Sequence, residues 1–213
     1  MSLLGCEAVL FDVGGARFED LLQKKIWAAC EAVAGLDGVR EAIPGMNNFT
    51  VSFDPDLWDP RALASGLREI WAGIEPAAGV GRTFEAPTIY GGPAGDELAE
   101  LSQRIGLSIE ETVRLHADTE YVVAAVGAMP GFPYLAGLDP RLAWPRHASP
   151  RSRVASGTVM IGGAQTGVMP CDAPTGWHCL GHTSLRLFDP ERAPPALLAP
   201  GDRLRFVIED IRT

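Results

Sequence analysis

The sequence predicts an α+β protein in two domains. A small α/β domain occupies residues 1–82, and a β-rich domain with a helical hairpin at 95–116 occupies 83–213. Three observations predict this. In the first part, apolar runs of strand length alternate with two stretches of helical periodicity. A pair of short helical segments follows. From Tyr121 onward, short apolar runs recur between glycine- and proline-rich turns. The chain has 213 residues, 46% hydrophobic and 21% charged. That suffices for one large or two small domains with cores of their own.

Taken in order, Glu7 to Val13 is an apolar strand stopped by Gly14-Gly15. Phe18 to Ala34 follows with Phe18, Leu21, Leu22, Ile26, Ala29 and Val33 at helical spacing, ended by Gly35. Val39 to Ile43 is a short strand closed by Pro44-Gly45. In Asn48 to Phe53, Phe49, Val51 and Phe53 fall on one face, Thr50 and Ser52 on the other. Asp59-Pro60 reads as an N-cap followed by proline at the first helical position. That helix runs to about Ile74 with Leu63, Leu67, Ile70, Trp71 and Ile74 inward. Phe84 to Tyr90 is extended. The order β-α-β-β-α-β is the ferredoxin-like split unit. Its last strand has an alternative place in the second domain, because Ala77 to Gly81 reads as a linker.

Asp96 to Arg104 is a short helix, and Ser108 opens a capping box with Glu111 for a second one ending near His116. The pair resembles a helix-turn-helix, but acids stand where base contacts should form, so a helical hairpin packed on a sheet is expected instead. Strands follow at Tyr121–Val126, Gly157–Ile161, Thr166–Met169, Trp177–Leu180, Leu185–Phe188 and Leu204–Ile208, indicating a barrel or a sandwich.

Charge and composition exclude several functions. The net charge is −9 and the pI about 4.9. Nucleic acid requires a basic stripe, and an anionic membrane surface repels such a chain. No apolar run approaches the ~20 residues of a membrane span. The first residues lack a basic region and carry an early acid, so no signal peptide and a cytoplasmic location are expected. Cys171, His178, Cys179 and His182 lie close in sequence. The gap between the two cysteines does not fit the tight pairs of structural zinc sites, so no metal is expected and reduced thiols are preferred.

Val126 to Phe188 concentrates glycine, proline, aromatics and three of the four histidines. Glycine and proline specify loop shapes, and shaped loops on a rigid scaffold are where sites sit. Within Met129 to Phe206, the runs Pro130-Gly131-Phe132-Pro133-Tyr134-Leu135, Gly162-Gly163-Ala164-Gln165-Thr166-Gly167, Gly176-Trp177 and Gly181-His182-Thr183 stand in a long ordered pattern. This pattern resembles the KipI / allophanate hydrolase subunit 1 family, and the likeness extends over nearly the whole chain.

The resemblance implies a cyclophilin-like β-barrel for the second domain. It implies work in a complex with a C-type subunit (KipA-like, allophanate hydrolase subunit 2), as heterodimer or heterotetramer, and with an A-type subunit. The activity implied is ATP-dependent opening of 5-oxo-L-proline to L-glutamate, with this chain in the role of the B-type subunit. One alternative is half of a carboxyltransferase that uses a biotin carrier, as in urea amidolyase. Another is a non-catalytic inhibitor of a histidine kinase. Where many members have arginine, this chain has His182.

Amide or lactam chemistry needs positioned donors and an oxyanion site. On the family's pattern, Gln165 and Thr166 are the expected catalytic contacts. Gly162 and Gly163 belong to their loop, which lacks the Lys-Ser/Thr ending of a nucleotide-binding loop, so ATP is expected elsewhere in the complex. Pro130, Gly131, Phe132 and Tyr134 are expected to form one wall. Arg146, Arg151 and Arg153 are candidates for holding a carboxylate or phosphate, and His116 and His182 for substrate contact. Each has a structural alternative: a barrel turn, a packed core, a solvated loop, or a histidine at a helix end. His147 is expected on the surface, and Trp177 in the barrel wall.

Overall fold

The computed structural model describes residues 1–15, 18–79 and 81–213. The expected linker Ala77–Gly81 includes Val80, which lies outside the described residues. The chain divides into two compact units, Met1–Val80 and Gly81–Thr213.

In the first unit, β1 (Ser2–Leu4), β2 (Ala8–Asp12), β3 (Val39–Pro44) and β4 (Asn48–Phe53) form one sheet in the order β1-β2-β4-β3. Helices α1 (Asp20–Ala34) and α2 (Pro60–Gly73) complete it. The strand period puts Val9, Phe11, Phe49, Val51 and Phe53 into one core with Ile26, Val33, Leu63 and Leu67. Phe11 stacks on Phe49 at 4.9 Å. Asp59 caps α2 by accepting from the Arg61 and Ala62 N–H groups.

Two expectations are corrected here. The strand beside β2 is the N-terminal β1, not a strand following α2. The segment expected to close a βαββαβ unit takes its alternative place in the second domain, pairing with barrel strands where Ala86, Thr88 and Tyr90 are fully buried. The inward stripe of α1 includes Gln23, while Leu21 is 70% exposed. Gln23 tolerates burial because its Nε2 donates to Gly45 O and its Oε1 accepts from Asn47 N–H.

The second unit is built from β5 (Thr83–Gly91), α3 (Leu98–Ile105), α4 (Ile109–Ala117), β6 (Glu120–Val126), β7 (Pro133–Ala136), β8 (Arg151–Val154), β9 (Thr158–Gly162), β10 (Gln165–Val168), β11 (Ala173–Thr175), β12 (His178–Thr183) and β13 (Arg203–Arg212). Seven of these strands close into a barrel in the order β10-β7-β6-β13-β5-β12-β9, sealed by the β9–β10 hairpin. β13 runs parallel to β5, and the other barrel pairs are antiparallel. Closure leaves no unpaired sheet edge between first and last strand. β8 and β11 pair separately.

The α3–α4 hairpin forms as expected. Gly106 ends α3 in the left-handed conformation, and Ser108 with Glu111 makes the capping box of α4. The expected strand at Leu185–Phe188 is instead irregular, with a single bridge from Phe188 to Ala196. β7 forms where a loop was expected, because Pro133 to Ala136 finds partners in β6 and β10.

Gly162 has a packing reason. A Cβ there would lie 2.5 Å from the Trp177 ring. Gly162→Ala is expected to destabilise the barrel by about 1–3 kcal/mol through overpacking, read as a lower denaturation midpoint. An unchanged midpoint would show that the ring moves aside freely.

Candidate functional site

The second unit carries a cleft of about 410 Å³. Its apolar wall is an aromatic trio. Phe132 meets Tyr134 at 4.9 Å and Trp177 at 5.6 Å, both edge to face, and Tyr134 meets Trp177 at 6.2 Å. Met129, Met160 and Met169 extend the wall. Phe132 and Trp177 are largely buried in a small cluster with Met160 and Met169, so the wall is fixed by packing rather than by a free loop. Gly131 makes its turn with φ +78°, pressed against Phe188 and Leu187. Only glycine adopts that conformation without strain.

The polar side of the cleft comes from one loop, which presents Arg146 and His147. The His147 N–H donates to Gly176 O at 2.8 Å, fixing the loop across the cleft floor. Arg146 is exposed and, among the described residues, makes no ion pair. An unpaired guanidinium beside an aromatic wall suits a small, compact molecule with an anionic group.

Behind His147 lies a buried charge cluster. Glu97, just ahead of α3, is 6% exposed. Its Oε1 is 2.8 Å from His178 Nδ1 and 2.6 Å from His147 Nε2. Its Oε2 accepts from the Cys179 N–H at 2.8 Å and lies 3.0 Å from the Arg151 guanidinium. Arg151 also pairs with Asp96. Burial opposes ionisation of Glu97, but the Cys179 N–H, His178 and Arg151 outweigh it and hold the carboxyl below its ordinary range. The His178 ring stacks on Trp144 at 3.7 Å.

The expected site residues are therefore only partly brought together. Phe132, Tyr134 and Arg146 line the cleft. Pro130 and Gly131 form the adjoining turn, and Gly162 lies under Trp177. Gly163 sits at the tip of the β9–β10 hairpin, where its backbone exchanges two hydrogen bonds with Trp144. Gln165 opens β10 half-buried, with its backbone paired to Gly162, and is not among the described cleft-lining residues. Arg153 pairs with Asp172 on an exposed surface. His182 Nε2 meets Ser156 O at 3.1 Å, away from the cleft.

Thr166 and His116 are corrected from site to core. They are 0% and 1% exposed and bond to each other inside the barrel. The Thr166 hydroxyl donates to Met160 O, so it accepts from His116 Nε2–H, and His116 Nδ1 accepts from the Tyr90 hydroxyl at 2.7 Å. This chain of bonds satisfies every polar atom and fixes a neutral imidazole. Burial pushes the His116 pKa down to about 3.

The sequence-adjacent set Cys171, His178, Cys179 and His182 does not converge. Cys171 is exposed near Met129, and His182 faces Ser156. Burial pushes the Cys179 thiol up to about 11 and the Cys30 thiol up to about 12. Sequence reasoning missed Glu97, His178, His147 and Trp177 as site components. For the loop, the run Trp144-Pro145-Arg146-His147 was an available signal. For Glu97 none existed, since its partner His178 is 81 residues away.

Comparison with known proteins adds identity. Residues 1–198 match the family described as carboxyltransferase domain, subdomain C and D. The chain is 47% identical over 189 residues to the 5-oxoprolinase B subunit of Escherichia coli O157:H7, covering 87% of this chain and 85% of that protein. It is 38% identical over 189 residues to the 5-oxoprolinase B subunit of Haemophilus influenzae, covering 89% and 88%. Among solved structures, TTHA0988 superposes with a TM-score of 0.81 at 33% identity over 94% of this chain, which spans only 39% of that longer chain. The Kluyveromyces lactis urea carboxylase superposes with a TM-score of 0.80 at 18% identity over 95% of this chain and 21% of its own, a likeness of fold alone.

Proposed function

This chain belongs to the family of the carboxyltransferase domain, subdomains C and D, and on that premise we propose that it works as the B-type subunit of a multi-subunit, ATP-dependent 5-oxoprolinase. The observation that carries the reading is the cleft: an aromatic and methionine wall facing an unpaired Arg146. 5-Oxo-L-proline is a compact ring with one carboxylate. The ring suits the wall of Phe132, Tyr134 and Trp177, and the carboxylate suits a bidentate guanidinium. The names of the E. coli and H. influenzae relatives support the same substrate.

In this proposal the chain binds and orients the lactam, and the wall keeps water from the ring. The glycine-rich hairpin does not suit the phosphates of ATP. It spends its Gly163 N–H on Trp144 O at 2.7 Å and has no lysine beside it. The phosphoryl chemistry is therefore assigned to the partners, one C-type and one A-type, and Gln165 is left without a direct substrate contact.

Reconstitution tests this. The chain with its A-type and C-type partners is expected to convert 5-oxoproline to glutamate with ATP, and the chain alone to do nothing. An intact lactam in the complete complex overturns the reading, and turnover by the isolated chain overturns the shared site. A second reading, a carboxyltransferase half acting on a urea-like amide, is favoured by the family description. Strict dependence on a biotinylated carrier would select it.

A further inference from the structure

We propose that Glu97, His147 and His178 form a binding site for a first-row divalent cation, with zinc the best match. The inference starts from lone pairs. His178 Nε2 lies 2.8 Å from Pro145 O, which can only accept, so the ring proton sits on Nε2. The other ring nitrogen, Nδ1, lies 2.8 Å from Glu97 Oε1. With the proton on Nε2, that short contact to a carboxylate oxygen calls for a second proton or a metal ion between the two atoms.

A second proton on His178 would answer this contact alone. It would leave His147 untouched. His147 Nε2 is 2.6 Å from the same oxygen yet off the line of a hydrogen bond. The atom is sealed from solvent, and among the described residues it has no hydrogen-bond partner. A buried polar nitrogen in that position needs an explanation. One cation shared by Nδ1, Nε2 and Oε1 satisfies all three atoms, and these lie within 4.8 Å of one another.

The surroundings are those of a metal site. Each donor comes from a different element: the residue before α3, the loop before β8, and the start of β12. The outer partners of the donors are already in place. His178 Nε2–H donates to a backbone carbonyl, the usual device for fixing which ring nitrogen binds a metal. Glu97 Oε2 is held by the Cys179 N–H and Arg151, so Oε1 is left for the ion. Trp144 stacked on His178 restricts the ring.

Two imidazoles and one carboxylate select zinc or a neighbouring transition ion over magnesium or calcium, which take oxygen ligands. Donors about 2 Å from a tetrahedral ion stand roughly 3.3 Å apart. The carboxylate therefore draws back by about half an ångström on loading. Three protein donors leave a fourth position for water or a small ligand. His147 is also a wall residue of the cleft, so the ion sits beside it.

The test uses the full chain, stripped with a chelator and titrated with zinc by calorimetry, with cobalt absorption as a second readout. One equivalent per chain is expected, with tetrahedral cobalt bands. His147→Gln is expected to weaken binding by at least the roughly 10–100-fold that loss of an outer-shell partner alone causes. His147 is partly exposed, so this variant should fold, as circular dichroism and an unchanged metal-free melting midpoint would confirm. Glu97→Gln should act in the same direction, and Cys179→Ala should bind like wild type. Absence of binding by wild type, or wild-type affinity in folded His147→Gln, overturns the site. Loss of binding in Cys179→Ala also overturns it, because the ion would then belong to the neighbouring group of Asp96, Glu97 and Cys179. None of these readouts depends on 5-oxoproline chemistry.

Discussion

Lowering the pH from 7 to 4.5 is expected to destabilise the barrel unit by roughly 3 kcal/mol through His116 alone. Burial holds this histidine neutral in the fold, with its pKa pushed down to about 3 from an ordinary 6.5. The unfolded chain therefore binds a proton below pH 6.5 that the folded barrel refuses. Stability is full above 6.5 and falls as the pH drops toward 3, levelling off only below the folded value. The carboxyls of Glu97, Glu111, Glu120, Asp139 and Asp172 are also held below their ordinary range, and their contributions begin to be lost near the ordinary carboxylate value and go on being lost as the pH falls through the lowered ones. The difference in slope between the wild type and a variant at position 116 isolates this histidine from the other titrating groups. Denaturant titrations of the barrel at several pH values would read the slope. His116→Gln keeps one donor for Thr166 and one acceptor for Tyr90 but cannot take the proton, so the slope should flatten. A wild-type slope in that variant, or a His116 resonance titrating near 6.5, would refute the assignment.

The second large effect concerns substrate. Arg146→Ala in the reconstituted complex should raise KM for 5-oxoproline by roughly 10–100-fold, the value of a charged hydrogen bond of about 1.5–3 kcal/mol. The effect should fall mainly on KM, because a carboxylate anchor remote from the lactam bond holds ground state and transition state alike. Arg146→Lys should recover only part, since an ammonium lacks the planar fork. The guanidinium is exposed, so the fold should not suffer. An unchanged KM in Arg146→Ala would move the carboxylate, and with it the substrate, out of this cleft. The proposed metal donors lie behind the same loop, so His147 variants should be compared only after their metal content is known.

Several elements are legible in the residues alone. The alternation of Phe49, Val51 and Phe53 sets the inner face of β4, and all three are in the core. The Asp59 cap and the Ser108–Glu111 box place the starts of α2 and α4 where they occur. These are local signals, carried by side chains one to four residues from the groups they satisfy. The family pattern is equally local: of the residues it points to, Phe132, Tyr134 and Arg146 line one cleft, whereas Gln165 and Thr166 are not among its described lining residues.

The sequence by itself determined the four helices, strands such as β2, β4 and β6, the N-terminal sheet's inner face, and the family to which the chain belongs. Only the tertiary structure decided where β5 pairs, that β1 takes the place beside β2, and that His116 and Thr166 are core. It alone gathered Glu97, His147 and His178. The physical reason is range. Periodicity and caps act over one or two turns of chain, whereas β5 and β13 pair across more than a hundred residues, Arg203 opposite Thr83. Burial follows from such pairings. With burial come the lowered His116 pKa and the sealed His147 nitrogen, and the partners that these pairings bring to Glu97 keep it ionised against burial.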